Sequence, residues 1–141
     1  MPLINFGSIL NFAEELEKGD QAFYETLIQN AACAPDRDMY ETFSTDARKN
    51  VKTVQRTRRE NVTEMILEPI TDFKREPFIV DYGNGAEMNT EEARRTAQTL
   101  EERADRYYSE AAQKIKALPE VARALKTIGK KRRAHLSMIA S

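Results

Sequence analysis

The sequence predicts an all-α protein: a four-helix bundle made of two antiparallel hairpins joined by a long crossover. Two observations carry the helices. The 141 residues hold only five glycines and five prolines, and the prolines separate long stretches of helical composition. Within each stretch, apolar residues recur at steps of three and four. A third observation carries the topology: two of the connections are short and the middle one is long.

The first stretch runs from about Phe6 to Ala32, with a stripe of Ile9, Ala13, Leu16, Phe23 and Leu27. The second runs from about Asp36 to Leu67, with Phe43, Ala47, Val54 and Met65. Pro35 separates these two, so they form a hairpin. From Pro69 to Asn89 the chain makes the long connection, with one strand-like run and a turn signal in FIVDYGNG. A connection of this length can return along the bundle and leave the second and third helices parallel. The third stretch spans about Thr90 to Leu118, with Thr90 as the expected N-cap ahead of Glu91 and Glu92. Its stripe is Ala93, Ala97, Leu100, Ala104, Tyr107, Ala111, Ile115 and Leu118. The fourth starts at Pro119, a residue suited to a first helical turn, and carries Val121, Leu125, Ile128, His135 and Ile139.

Composition limits the function. A single domain over residues 1–141 is expected at this length, and 40% hydrophobic residues suffice for a core. No apolar run approaches the ~18 residues that span a bilayer, so no membrane association is expected. The start, MPLINFGSIL, has no basic region before its apolar stretch, so no signal peptide is expected and the expected address is cytoplasmic. One cysteine, Cys33, and one histidine, His135, exclude a Cys/His zinc cluster.

The first and third helices resemble each other. Glu17-Lys-Gly-Asp-Gln-Ala-Phe-Tyr24 aligns with Glu101-Glu-Arg-Ala-Asp-Arg-Tyr-Tyr108, each with a Glu seven residues before a Tyr. Seven residues is close to two turns, so each Glu shares a face with its Tyr, beside the apolar stripe.

On these features the chain resembles the rubrerythrin-like branch of the ferritin-like superfamily. The resemblance implies that Glu17 and Glu101 match two carboxylate ligands of a di-iron centre. It also implies that the second and fourth helices should each supply an E-x-x-H pair. By distance from Phe43 and Leu125, those pairs fall on Asn50 and Thr53, and on Arg132 and His135. Of the six ligand positions only Glu17, Glu101 and His135 match. Asn50 and Thr53 are neutral, and Arg132 brings a permanent cation. Two divalent ions need several anionic oxygens, so the di-iron chemistry implied by the family is expected to be lost.

The expected core cluster is therefore Glu17, Tyr24, Asn50, Thr53, Glu101, Tyr108, Arg132 and His135, with Arg132 pairing with both Glu residues in place of metal. No cofactor is the first expectation. The alternative is a single divalent ion, iron, manganese or zinc, on Glu17, Glu101 and His135. The expected role is structural, sensing or partner-binding, and the enzymatic alternative is a ferritin-like metal-dependent oxidoreductase. A homodimer through bundle faces is the expected assembly.

Charge is segregated. Arg48, Lys49, Lys52, Arg56, Arg58 and Arg59 follow one another on the second helix without an acid, as do Lys126, Lys130, Lys131, Arg132 and Arg133 on the fourth. The first and third helices are acidic. Each hairpin thus joins an acidic to a basic helix, and neutralisation between neighbours is the expected reading. A polyanion-binding surface is the alternative. Nucleic acid is disfavoured because no aromatic residues interleave the basic stretches and the net charge is −1.

Overall fold

The computed structural model describes residues 5–61, 70 and 72–141. Helix α1 spans Phe6–Gln29, and Asn5 caps it by accepting from the Ser8 N–H at 2.8 Å. It stops before the expected Ala32 because Asn30 turns extended and its side chain caps the next element, a short 3-10 helix over Ala31–Asp36. Helix α2 spans Arg37–Glu60. Its expected continuation through Met65 to Leu67, and Pro69 beyond, lie outside the described residues.

Helix α3 spans Thr90–Lys114. Its cap is Asn89 and not Thr90: Asn89 Oδ1 accepts from the Glu92 N–H at 2.8 Å, while Glu92 Oε1 accepts from the Asn89 N–H at 3.0 Å. This reciprocal pair satisfies two free donors at once. The Thr90 hydroxyl instead donates to the Ala32 carbonyl at 2.7 Å, tying the start of α3 to the α1–α2 corner. Helix α4 spans Pro119–Ala140, with Pro119 in its first turn.

Side-chain pairs fix the directions. Tyr107 reaches Ile9, Tyr108 reaches Glu17, Tyr24 reaches Glu101 and Thr90 reaches Ala32, so α1 and α3 run antiparallel. Since α1 is also antiparallel to α2, helices α2 and α3 are parallel, as two hairpins with a crossover require. Around the bundle the order is α1, α2, α4, α3.

The described part of the crossover lies across the α1–α3 face as a strap. Phe73 and Phe78 pack on Tyr107, with centroids 5.7 and 5.2 Å away, and Tyr82 stacks on Phe23 at 5.6 Å. The strand-like run does not become a strand. Glu76–Phe78 and Gly85–Glu87 form 3-10 turns, and no neighbouring strand lies beside the segment between them among the described residues. Asn30 holds the far end by donating to the Gly85 and Met88 carbonyls, both at 2.8 Å.

The core is apolar at both ends. One part gathers Ile9, Leu10, Leu16, Tyr107 and Leu125, the other Phe23, Leu27, Tyr40, Phe43 and Leu100. Between them lies a layer of fully buried charged and polar side chains. Among the described residues, no helix is long and apolar enough to cross a membrane.

Candidate functional site

The buried layer centres on Arg132, a residue only 1% exposed. It sits on α4 four residues after Ile128 and three before His135, on the inward stripe. Its guanidinium donates to Glu101 in a two-point grip, Nε to Oε1 at 2.7 Å and NH2 to Oε2 at 2.9 Å. NH1 donates to Glu17 Oε2 at 2.8 Å, and NH2 also donates to Asp20 Oδ2 at 2.5 Å. The planar fork suits this task, because one rigid group presents donors in three directions.

The two Glu-to-Tyr repeats interlock. Tyr24 of α1 donates to Glu101 of α3 at 2.5 Å, and Tyr108 of α3 donates to Glu17 of α1 at 2.6 Å. Each tyrosine thus serves the glutamate of the opposite repeat, which follows from two similar helices packed antiparallel. From α2, Asn50 Nδ2 donates to Glu17 Oε1 at 3.1 Å. His135 faces Glu101 through Nδ1 at 2.9 Å and Asp46 through Nε2 at 2.7 Å, with its ring stacked on Phe43 at 4.1 Å. Only an imidazole with hydrogen on both nitrogens donates to both carboxylates.

Thr53 does not join this layer. It is only partly buried, and its hydroxyl donates to the Lys49 carbonyl one turn back at 3.2 Å. A helical threonine satisfies its hydroxyl locally in this way.

Four participants escape sequence reasoning: Asp20, Arg103, Tyr82 and Asp46. Asp20 is fully buried and accepts from Arg132, from Arg103 NH2 at 2.6 and 2.7 Å, and from the Tyr82 hydroxyl at 2.7 Å. Arg103 also donates to the Phe78 carbonyl at 3.2 Å, so it joins the layer to the strap. The signal lay in the repeat. Gly19 and Asp20 align with Arg103 and Ala104, and the two helices differ there in charge. A β-carbon on Gly19 would stand 2.6 Å from the Tyr82 hydroxyl, so the missing side chain gives Tyr82 its approach to Asp20.

The two central glutamates differ electrostatically. Burial pushes the Glu17 carboxyl above the usual carboxylate range; Arg132 opposes this, while the Asp20 carboxylate adds to it. Burial acts on Glu101 in the same sense, but the two-point grip of Arg132 and the contact with His135 outweigh it and hold Glu101 at about 2. Burial likewise raises the Tyr24 and Tyr108 hydroxyls, so both remain donors.

A di-metal centre does not fit these residues. Both oxygens of Glu17 and both of Glu101 already accept hydrogen bonds, and a permanent cation stands between the carboxylates. Two divalent ions there would meet like charge where they need anionic oxygens. Among the described residues, no three His, Cys, Asp or Glu side chains are arranged to hold a metal ion.

Comparison with curated proteins and with solved structures gave no match. The family model for the ferritin-like domain matches residues 7–141, nearly the whole chain, and with its bundle, crossover and paired helical repeats this protein belongs to that family.

Proposed function

We propose that this chain is a rubrerythrin-like member of the family in which an internal ion cluster stands where di-iron chemistry would take place, and that it serves as a structural, sensing or partner-binding module. The supporting observation is the Arg132 guanidinium, buried between Glu17 and Glu101 and hydrogen-bonded to both. A cation built into the chain does for the carboxylates what a metal ion would do, which is to offset their mutual repulsion in a low-dielectric interior. Unlike a metal it has no open coordination position, changes no oxidation state and activates no water. Charge-neutralised carboxylates with no exchangeable ligand support cohesion of the bundle and not oxidative turnover.

The test is metal analysis of protein purified with iron and manganese supplied. The expected result is fewer than two ions per chain and neither ferroxidase nor peroxidase turnover. Two tightly held irons per chain, with an oxo-bridge absorption band, would overturn the reading. One bound divalent ion, lost in His135→Ala, would favour a mononuclear site on Glu17, Glu101 and His135 instead.

A further inference from the structure

We infer that the face formed by α2 and α4 is a docking surface for the phosphate backbone of duplex nucleic acid. The His135–Asp46 contact sets the register of these two antiparallel helices. It places residues 48–59 of α2 beside residues 122–133 of α4, so both acid-free basic stretches lie at one height. Along a helix that span measures about 16 Å.

The expected neutralisation by the acidic helices takes place only in part. Of the basic side chains in these stretches, Arg58 pairs with Glu14 and Arg133 with Asp105, while Arg132 is buried. Several of the other acids are committed elsewhere. Glu17, Asp20 and Glu101 lie in the interior, Glu15 pairs with Arg75 of the strap, Glu91 with Arg95, and Glu92 caps α3. Lys49, Lys52 and Arg56 on α2 are exposed, and Lys131 on α4 partly exposed, without an ion pair among the described residues; Arg123 and Lys130, likewise unpaired, stand on the outer edge of α4, where they also line a groove with Asp105, Ser109 and Gln113 of α3. The described part of the strap lies against α1 and α3, the opposite side of the bundle.

The character of the face selects the occupant. Every phenylalanine is buried, as is every tyrosine except the strap's Tyr82, so no ring is offered for the base stacking that single strands require. The large hydrophobics exposed among the described residues are Ile79 on the strap and Met138 beyond the basic stretch, so the face has no apolar anchor for a lipid surface. Cations in two rows without aromatic or apolar partners fit regularly spaced phosphates, recognised through counterion release and not base sequence.

The experiment is fluorescence anisotropy with a labelled duplex of about 30 base pairs, at salt from about 50 to about 200 mM. Binding should be sequence-independent and should weaken by about 150- to 500-fold across that range, the loss expected for four or five phosphate contacts. The triple variant Lys49→Glu, Arg56→Glu, Lys131→Glu should bind at least tenfold more weakly. A second triple that extends to the outer edge of α4, Lys52→Glu, Arg123→Glu, Lys130→Glu, should do the same, and circular dichroism should show both folded. Arg95→Glu with Lys116→Glu, away from this face, should leave binding unchanged. Absence of binding at low salt, binding indifferent to both triples, or preference for anionic phosphatidylserine vesicles over duplex would each overturn the proposal.

Discussion

At the scale of single residues, the protein depends on three buried carboxylates and the two guanidiniums facing them. Arg132 carries most of this, since Glu17, Asp20 and Glu101 all accept from it. Removing one member of a buried ion cluster strands the others, at a cost of about 3–5 kcal/mol. Urea denaturation of Arg132→Ala at neutral pH should show a loss of that order, whereas an arginine with its head in water would cost almost nothing. The two glutamates should differ in their response to acid. Glu101, held at about 2, contributes stability above its unfolded value and loses it as pH falls through about 2. Glu17, raised by burial, has the opposite sign: its contribution is full below the unfolded value and is lost as pH rises through the folded one. The two act on opposite sides of the unfolded value. Glu101→Gln should flatten acid destabilisation between about pH 4.5 and about pH 2, whereas Glu17→Gln should leave that limb in place and remove the loss of stability that sets in as pH rises above about 4.5. Denaturation series on both sides of that value would separate them, and identical profiles for both variants would contradict the assignment.

At the scale of elements, each helix is placed by one or two local devices. Helices α3 and α4 approach closely at Gly129, where an added β-carbon would lie 2.9 Å from the Tyr108 β-carbon. That atom is fixed to the α3 backbone and cannot swing away. Gly129→Ala should therefore destabilise by about 1–3 kcal/mol through overpacking, against the roughly 1 kcal/mol by which alanine ordinarily favours a helix. A thermal melt decides the sign. The reciprocal cap of α3 leads to a second measurement, since Asn89→Ala should cost about 1 kcal/mol. Apolar spacing at three and four residues made the helices legible, because it is a local property of the chain. Their ends were less so. The sequence offered Thr90 as a cap, yet Asn89 takes that role while Thr90 bonds to the carbonyl of Ala32, a residue 58 positions away. No local pattern contains such a partner.

At the scale of the whole molecule, the ionic layer joins all four helices and the strap at one level. Arg132 and His135 enter from α4, Glu101 and Arg103 from α3, Glu17 and Asp20 from α1, Asn50 and Asp46 from α2, and Tyr82 from the crossover. Arg103 is the link between helix packing and strap docking, since it bonds Asp20 and the Phe78 carbonyl together. Arg103→Ala should loosen the strap as well as lower global stability. Hydrogen exchange across residues 78–85 should then rise by more than the global loss accounts for, and an equal rise throughout would show that the strap holds without it.

The sequence by itself determined the helical class, the inward stripes, the two-hairpin topology and the repeated Glu-to-Tyr spacing on α1 and α3. These are set by period, breakers and connection length, which are written locally along the chain. It also marked Arg132 as an inward residue, because helical period alone puts it between Ile128 and His135. The tertiary structure decided which buried charges meet. Asp20, Arg103 and Tyr82 converge from three elements, and their contacts depend on helix register and on the path of the strap, neither of which has a local signature. It likewise decided that the two basic stretches share a face, since antiparallel packing of α2 on α4 sets their relative height. Charge along a chain is readable from its sequence, but the opposing charge that does or does not face it is fixed only when the helices pack.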